Sequence, residues 1–415
     1  MKSKEAITKL QAVILIAVLI VAIACVYYYY FILPRAAPPE LRIGAAVSQT
    51  GPYGPTGSGV LEGYLLWEED VNNRGGILGR RVKLIVYDDK SDPTTTKSLY
   101  EKLITVDKVD LLLGPYASAC ALAMIPLAEQ YKMVVLHPIN TAITLYNQGY
   151  EYQFLVCTAG IAGLNLMTPV FELLASLPEG IRPKTVGIVN TADTFPRSVE
   201  KGAENDIKKF GFTLIFKEEV EKGATDVSAV ITKLKVANPD IVLFAGYVPE
   251  ETLLIKTCYE LGFKPKGIIA VDAMLLWPDS VKLLGPLFDY VIGSTRYSID
   301  YPFAINKKFV EMYRKKFGKD PTIHPAVGYA AGILLEEAIK KAGKIDNEAI
   351  RAALMDLQVE LPFGIWQIDK DLAKAGIKYV PKSFQIVSQI VNGKPVHVWP
   401  PQYASGQLIY PIPPK

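Results

Sequence analysis

Short apolar runs alternate with longer helical patterns along most of the chain. The run Leu41–Val47 is followed by a helical pattern around residues 59–71. The next run, residues 81–89, precedes Asp92 and Pro93, which suit the N-cap and the first position of another helix. Similar runs follow as DLLLGP, MVVLHP, TVGIVN, DIVLFAG and YVIGST. This alternation is typical of parallel sheets covered by helices on both faces.

The apolar runs are too many for one comfortable sheet, so we expect two α/β lobes. Ligands of such sheets bind beyond the carboxyl ends of the strands, where the strand order reverses. The residues that directly follow each run are therefore the candidate site. They include Ser118, Asn140, Thr141, Tyr247 and Asp272.

Two of these residues suggest opposite charges in a ligand. Ser118 lies at the start of a helix, where unpaired backbone N–H groups favour a carboxylate, although serine is also a common N-cap. Asp272 follows the run GIIAV, and an acid there can pair with an ammonium group. A helix cap or a solvated turn is the structural alternative for Asp272.

The N-terminal sequence predicts on which side of the membrane the remainder of the chain lies. Residues 12–33 carry no charge and would span about 33 Å as a helix, enough to cross a bilayer. Lys2, Lys4 and Lys9 precede this stretch, which predicts the remainder of the chain outside the cytoplasm. We expect a signal anchor over residues 1–33 and a stiff, Pro-rich spacer over 34–40. A cleaved signal peptide and lipidation at Cys25 remain alternatives, and both also place the remainder outside.

Composition excludes several protein classes. Half of the 415 residues are hydrophobic and 21% are charged, which excludes a disordered or low-complexity protein. The net charge of +3 gives no argument for nucleic acid as a partner. Cys120, Cys157 and Cys258 are an odd number of exterior cysteines, so we expect small buried hydrophobes rather than a disulfide framework.

Enzyme and metal interpretations find little support. Gly57, Gly59 and Gly63 follow a strand and open a helix, but their GxGxxxG spacing departs from the dinucleotide fingerprint GxGxxG. Three aspartates, at positions 88, 89 and 92, lack EF-hand spacing. The three histidines have no evident serine or cysteine partner, and GxSxG does not occur. We therefore expect no enzyme activity, no cofactor and no metal.

Several motifs together resemble one family. GGILGRR, VKLIVYDDKSDP, LLLGPYAS, VVLHPINTA, PDIVLFAGYVPEE and FGIWQIDKD look like segments of leucine/isoleucine/valine-binding proteins, and the resemblance covers roughly residues 41–400. These proteins are substrate-binding receptors of ABC importers with the type 1 periplasmic binding-protein fold. The resemblance implies two doubly wound α/β lobes joined by three hinge crossings, closing over a ligand, here preceded by one transmembrane helix.

The family fold implies where the lobes begin and end. Crossings are expected near Cys157–Gly160, Gly293–Tyr297 and Leu357–Phe363. Lobe 1 would then be residues 41–157 plus 296–358, lobe 2 residues 160–293 plus 362–400, and the tail residues 401–415.

The resemblance also assigns a ligand site in the cleft between the lobes. The carboxylate of an amino acid would be held by Ser118, Thr141 and the backbone at Ala117 and Ile139. From lobe 2, Tyr247 would complete the clamp and Asp272 would take the ammonium group. Rings near the ligand match Phe195 and Tyr53.

Two departures from the family pattern concern this site. Many members carry a disulfide where this chain has Ser91 and Ala117. Leucine-type receptors use a longer glutamate where this chain has Asp272. The amino-acid clamp therefore matches the family, whereas the side chain of the ligand stays open.

The resulting expectation is an extracytoplasmic, membrane-anchored, monomeric receptor that delivers an amino acid, branched-chain or similar, to an ABC permease and its ATPase. A sensing receptor of the same fold, working through a partner protein, is one alternative. Another is an importer receptor for an amide, urea or an aromatic acid.

Overall fold

The computed structural model describes residues 14–15, 17–24, 27, 39–157, 160–271, 278–382 and 384–413. The chain divides into two units, Met1–Pro39 and Glu40–Lys415. In the first unit, the described residues before Pro39 are helical and exposed. No helix within the described ranges is both long and apolar enough to cross a bilayer. Much of the predicted anchor, including Cys25, and most of the spacer lie outside the described residues, so the anchor stays a prediction.

The second unit contains fourteen described strands. They are β1 (Leu41–Val47), β2 (Val82–Asp88), β3 (Leu111–Leu113), β4 (Val135–His137), β5 (Gln153–Leu155), β6 (Thr185–Thr191), β7 (Thr213–Val220), β8 (Ile241–Ala245), β9 (Gly267–Ala270), β10 (Ile292–Thr295), β11 (Val359–Leu361), β12 (Gly364–Trp366), β13 (Ile386–Val391) and β14 (Lys394–Trp399).

Helices separate most of these strands. They are α1 (Gly54–Asn73), α2 (Pro93–Thr105), α3 (Ser118–Gln130), α4 (Thr168–Ala175), α5 (Thr194–Phe210), α6 (Ser228–Ala237), α7 (Val248–Glu260), α8 (Pro278–Leu284), α9 (Ala304–Phe317), α10 (Ile323–Ala342), α11 (Asn347–Met355) and α12 (Lys370–Lys374). Short 3-10 turns cover Ile143–Leu145, Gly285–Phe288 and Pro401–Tyr403.

The first sheet has five parallel strands in the order β2-β1-β3-β4-β5. Its register runs from Leu41 opposite Val82 to Val47 opposite Asp88. The strand order reverses between β1 and β3, which lie side by side although β2 comes between them in sequence. Loops that leave the carboxyl ends of β1 and β3 therefore diverge to opposite faces and leave a crevice between them.

The second sheet has seven strands in the order β14-β13-β10-β9-β8-β6-β7. Strands β6 to β10 are parallel to one another, whereas β13 pairs antiparallel with β10 and β14 antiparallel with β13 at one edge. The same kind of reversal occurs here between β6 and β8. Residues of the expected C-terminal tail pack on this sheet, because Gln389 bonds the backbone of Ile409 and Tyr410 joins the core.

Each sheet has its own apolar core. One large cluster surrounds the first sheet, and two clusters cover the two faces of the second sheet. Strand β8 is buried at all five positions because helices cover both of its faces. Each fully buried aliphatic or aromatic side chain of this kind contributes about 1.5–3 kcal/mol to folding. The doubly wound α/β prediction is confirmed, while the lobe boundaries and the hinge crossings stay predictions.

Gly59 and Gly63, which partly match the dinucleotide-binding fingerprint, allow two helices to pack closely. A Cβ on Gly63 would lie 2.2 Å from the carbonyl oxygen of Pro325, and one on Gly59 would lie 2.9 Å from the Cβ of His324. A Cβ on Gly328 would in turn lie 2.2 Å from the carbonyl oxygen of Val60. Helices α1 and α10 therefore approach each other closely because these positions have no side chain.

The other sequence features also have structural roles. Cys120, Cys157 and Cys258 are buried free thiols, as expected. Asp92 caps α2 by accepting a hydrogen bond from the backbone of Thr95 at 2.7 Å, and Pro93 is the first helical residue. Both predictions made from the DP pair are therefore confirmed.

Candidate ligand-binding site

The loops after β1 and β2 form one hydrogen-bonded unit that carries Tyr53. The backbone N–H of Tyr53 donates to Oγ of Ser91 at 3.0 Å, and this hydroxyl donates to the carbonyl oxygen of Thr50 at 2.6 Å. Asp89 accepts from the hydroxyl of Ser48 at 2.7 Å and from the N–H of Ser91 at 2.9 Å. Ser91 therefore holds the loops after β1 and β2 together by hydrogen bonds. The family resemblance implies that many members have a disulfide-bonded cysteine at this position.

The loop after β3 places the start of helix α3 at the crevice of the first sheet. Ala117 is the N-cap residue, in an extended conformation and without a side-chain cap. Ser118 is the first helical residue and is only 3% exposed. The N-cap alternative for Ser118 is therefore wrong, because the residue lies one position too far into the helix. The carbonyl oxygen of Tyr116 accepts a 2.7 Å hydrogen bond from Nδ2 of Asn140, which fixes the loop.

Two loops of the second sheet face the same region. Asp193 caps α5 after β6 by accepting a 2.6 Å hydrogen bond from the N–H of Thr194. Phe195 lies in the first turn of α5. Tyr247 precedes α7 after β8, where Oε1 of Glu251 accepts 3.1 Å hydrogen bonds from the N–H groups of Gly246 and Val271.

Side chains from both sheets line one cavity. It contains about 380 Å³ of space outside the protein atoms, part of it open to solvent. The lining residues are Tyr116, Ala117, Ser118, Ile139, Phe195, Gly246, Tyr247, Arg296 and His324.

Aromatic rings form much of this wall. The ring centroid of Tyr53 lies 4.9 Å from that of Tyr247 and 6.0 Å from that of Tyr116. Phe195 lies 6.1 Å from Tyr247, and His324 lies 5.4 Å from Tyr116. Ring contacts at these distances are favourable, and together they make a wall suited to an apolar ligand body.

Tyr53 also bonds polar groups of the second sheet. Its hydroxyl donates a hydrogen bond to the carboxylate of Asp193 and accepts one from Nζ of Lys222 at 3.1 Å. Nζ of Lys222 also lies 3.4 Å from Asp193 and 4.7 Å from the centre of the Tyr53 ring. Burial, and after it the charge of Asp193, raises the pKa of Tyr53 well above its ordinary value, so the phenol stays protonated.

Most of the predicted site residues come together here. Ala117, Ser118, Ile139, Phe195 and Tyr247 line the cavity, and Tyr53 packs against Tyr247.

Two predicted residues differ from this group. Thr141 is fully buried, does not line the cavity, and its Oγ1 has no hydrogen-bond partner among the described residues. Asp272 lies outside the described residues.

Four lining residues are absent from the predicted site: Tyr116 and Gly246, which adjoin the predicted Ala117 and Tyr247, and Arg296 and His324. Arg296 directly follows β10 and is 2% exposed. Its position directly after a buried strand is the same sequence signal that marks Tyr247, which follows β8. His324 is fully buried at the start of α10, and burial, together with the charge of Arg296, lowers its pKa to about 3. No motif marks His324, because the packing of α10 on α1 brings it here.

Comparisons with known proteins agree with this architecture. The pattern of the periplasmic binding protein family matches residues 40–377. A leucine-, isoleucine-, valine-, threonine- and alanine-binding protein of Pseudomonas aeruginosa is 24% identical over 331 residues, which cover 78% of this chain and 84% of that protein.

Solved structures show the same fold. A leucine-binding protein from Thermotoga maritima has a TM-score of 0.77 at 26% identity, covering 86% of this chain and 98% of that one. A solute-binding protein of an ABC transporter from R. palustris, in complex with benzoate, has a TM-score of 0.76 at 18% identity, covering 86% and 95%. Because the family pattern spans most of the sequence, this chain belongs to the periplasmic binding protein family of the leucine/isoleucine/valine-binding type, as its motifs indicated.

Proposed function

We propose that this protein is the extracytoplasmic receptor of an ABC importer that captures a small carboxylate-bearing solute, with an amino acid as the first candidate. Family members are substrate-binding proteins that work with ABC permeases, and on this ground we also propose that the chain is not an enzyme. The observation that carries the choice of solute is the first turn of α3, which begins with Ser118 at the cavity wall.

Elementary electrostatics favours a carboxylate group of the solute at the start of α3. The first N–H groups of a helix have no partner within the helix, and the helix dipole favours an anion there. Ala117 leaves these groups without a side-chain cap, and the hydroxyl of Ser118 can add one more donor. Carboxylate binding by backbone donors and one hydroxyl would satisfy the first N–H groups of the helix, which have no partner within the helix itself.

The ammonium end of an amino acid is assigned to Asp272. In the sequence, Asp272 comes two residues after the end of β9 and directly follows Val271, which is buried. A buried ammonium group needs an acidic partner, because leaving it unpaired costs several kcal/mol. Contacts from loops of both sheets would draw the two sheets together around the solute, which is hinge closure.

An aromatic acid is the second candidate, and the rings around the cavity favour it. Tyr116, Phe195 and Tyr247 line the cavity, and none of the lining residues that the structure describes is acidic. A benzoate ion needs a carboxylate site and a flat apolar wall, but no ammonium partner. The fold neighbour from R. palustris binds benzoate, so the fold itself accommodates such a ligand.

A ligand screen tests the proposed function. Thermal unfolding of the full-length protein in mild detergent would be measured with each common amino acid, benzoate and 4-hydroxybenzoate. A true ligand at 100 times its Kd stabilises the protein by about 2.7 kcal/mol, which is readily visible. If no carboxylate shifts the melting temperature, the proposal is wrong.

Two variants separate the candidates. Ser118→Ala should weaken binding of either ligand class by about 1–2 kcal/mol, because backbone donors remain. Asp272→Ala should weaken amino-acid binding by about 2–5 kcal/mol and leave aromatic-acid binding unchanged. Ser98→Ala, on the exposed face of α2, is the matched serine control.

We further propose that residues 1–33 anchor a monomeric receptor in the membrane. The uncharged stretch and its basic flank support this arrangement. The full chain should then resist carbonate extraction from membranes, and external protease should reach the binding domain. Release of the full chain by carbonate would argue for cleavage or for another mode of attachment.

A further inference from the structure

The amino edge of the first sheet presents exposed apolar side chains. Leu78, Val106 and Tyr131 lie in the loops that lead into β2, β3 and β4, and 47%, 67% and 41% of these residues are exposed. Because these strands are parallel to β1 and to one another, their amino ends meet at one edge of the sheet. We name this surface the basal face, and its members are Leu78, Arg81, Val106, Lys108, Tyr131 and Lys132.

Hydrogen bonds hold the loops of the basal face in fixed positions. The guanidinium of Arg80 donates to the carbonyl oxygen of Glu40 at 2.7 Å and lies 3.4 Å from the carboxylate of Asp110. The side chain of Asn347 donates to the carbonyl oxygen of Asp110 at 3.2 Å and accepts from the N–H of Val134 at 2.8 Å. The loops that precede the first four strands therefore form one continuous surface.

The basal face carries positive charge that is not neutralised within it. Three of its exposed cations form no salt bridge with any described residue: Arg81, Lys108 and Lys132. The two acids between α2 and β3 already have partners. Asp110 pairs with Arg80, and Asp107 accepts a 3.0 Å hydrogen bond from the hydroxyl of Tyr87. Free cations beside exposed apolar side chains complement anionic lipid headgroups.

We infer that the basal face docks on the membrane surface, with its apolar side chains among the headgroups and its cations against anionic lipids. In the sequence, only residues 34–40 separate the proposed anchor from β1, and seven residues span at most about 25 Å. They end at Glu40, at the same edge of the sheet. Apolar, tyrosine and long cationic side chains are those that the interface favours. This inference rests on the proposed anchor.

The amino edge of the second sheet provides a comparison within the same chain. Ile181, before β6, and Val236, before β8, are exposed apolar side chains there as well. Single exposed apolar residues are common, so the point where the proposed anchor joins the chain decides between the two edges. Because Ser118 follows β3, the cavity lies at the opposite edge of the first sheet. Docking of the basal face therefore leaves the cavity open to the solute.

Chemical labelling of lysines in the full chain tests the inference. The protein would be placed in lipid nanodiscs of phosphatidylcholine, with or without about 30% phosphatidylglycerol, and acetylation of each lysine would be followed by mass spectrometry. Lys108 and Lys132 should react about threefold or more slowly in the anionic nanodiscs than in detergent. Salt at about 1 M should restore much of their reactivity. Lys256 on α7, whose side chain is 59% exposed, should react equally in all samples.

Two matched pairs of variants separate docking from exposure as such. Leu78→Asp combined with Val106→Asp places carboxylates on the basal face and should abolish the slow labelling of its two lysines. The φ angle of Leu78 is 48°, a left-handed conformation that aspartate adopts more readily than leucine, so the fold should survive. Ile181→Asp combined with Val236→Asp makes the same change at the second sheet and should leave the labelling slow. If the first pair does not fold, the dependence of labelling on lipid charge in the natural protein still decides the question.

Each outcome has one meaning. Equal labelling of Lys108 and Lys132 in all lipids overturns the inference, and resistance of the same chain to carbonate extraction would leave the proposed anchor standing. Slow labelling that grows with protein concentration in detergent would mean that a second copy covers the basal face, which also overturns the inference. A chain that enters nanodiscs of neither composition overturns both.

Discussion

The hydroxyl of Tyr53 donates a hydrogen bond to the carboxylate of Asp193, and this bond joins loops that belong to different sheets. Tyr53 follows β1 of the first sheet, and Asp193 follows β6 of the second. Both residues are buried, and Lys222 contacts both of them. Loops of the two sheets are therefore joined beside the cavity by a contact that does not need a ligand.

The first prediction concerns Tyr53→Phe, which keeps the ring and removes the hydroxyl. Asp193 then loses one hydrogen-bond donor in a buried site, which should destabilise the arrangement in which these two loops are joined by about 1–3 kcal/mol. Small-angle scattering of the ligand-free protein should show a larger average radius of gyration, and ligand affinity should fall.

Tyr100→Phe is the control for this prediction. The hydroxyl of Tyr100 donates to the carbonyl oxygen of Leu113 at 2.6 Å, within the first sheet and its helices. Its loss should lower the melting temperature without changing the radius of gyration. An unchanged radius and affinity in Tyr53→Phe would contradict the role given to the Tyr53–Asp193 contact.

The second prediction concerns Gly63→Ala in α1. An added Cβ would lie 2.2 Å from the carbonyl oxygen of Pro325 and 2.6 Å from the backbone nitrogen of Tyr329, so α10 must shift. Overpacking of this kind costs about 1–3 kcal/mol, measured by urea unfolding. Because His324 lies in the first turn of α10, a shift of α10 should also weaken ligand binding.

Gly180→Ala controls for the loss of a glycine as such. No heavy atom lies within 4 Å of a Cβ placed there, so its stability should change by less than about 0.5 kcal/mol. If Gly63→Ala were equally harmless, the close packing of α1 on α10 would not matter to the fold.

The third prediction concerns Asp206→Asn in α5. Burial raises the pKa of Asp206 to about 6, although the hydroxyl of Thr168 donates to it at 2.8 Å. The folded state therefore binds a proton at Asp206 more tightly than the unfolded state does. Once pH rises above the pKa that this group has in the unfolded chain, the aspartate lowers the free energy of unfolding. Asparagine keeps an acceptor for Thr168 without this cost.

The variant should therefore gain about 2 kcal/mol over the natural protein above pH 7 and almost nothing near pH 4. Urea unfolding at both pH values measures the difference. A gain of the same size at both pH values would mean that ionisation of Asp206 is not its cause.

The sequence predicted the sheets well because local signals and tertiary structure agree there. Runs such as DIVLFAG form buried strands, and the Asp92–Pro93 pair begins a helix as expected. Ser118 and Tyr247, which follow strands β3 and β8, line one cavity because the strand order reverses beside both strands. Local chemistry and topology together are enough for such positions.

What could not be predicted depends on contacts between distant segments. Arg296 and His324 line the cavity because a strand of the second sheet and a helix packed on the first sheet meet there. Thr141 follows a strand as Ser118 does, yet it is fully buried and does not line the cavity. The GxGxxxG glycines fit a loop or a packed helix equally well, and only the distance between α1 and α10 decides between them.

The last prediction concerns pH and His137. Burial lowers the pKa of His137 to about 3, with only the side chain of Gln153 acting in the opposite direction. The folded protein keeps this imidazole neutral, while the unfolded chain binds a proton at His137 below about pH 6.5. Below that pH the unfolded state takes up more protons, so the free energy of unfolding falls as pH falls. Above pH 6.5 both states are neutral at this residue, and its contribution is constant.

His137→Gln removes this titration while keeping a polar side chain. Between pH 7.5 and pH 5, the free energy of unfolding should fall by about 2 kcal/mol less in the variant than in the natural protein. Urea unfolding curves at pH 7.5, 6.5 and 5 measure the effect, and the comparison cancels contributions from Asp206 and from His324, which both proteins share. If the free energy of unfolding depended on pH in the same way in both proteins, the prediction would be wrong. His137 would then take up its proton in the folded state, where water would have to reach the imidazole.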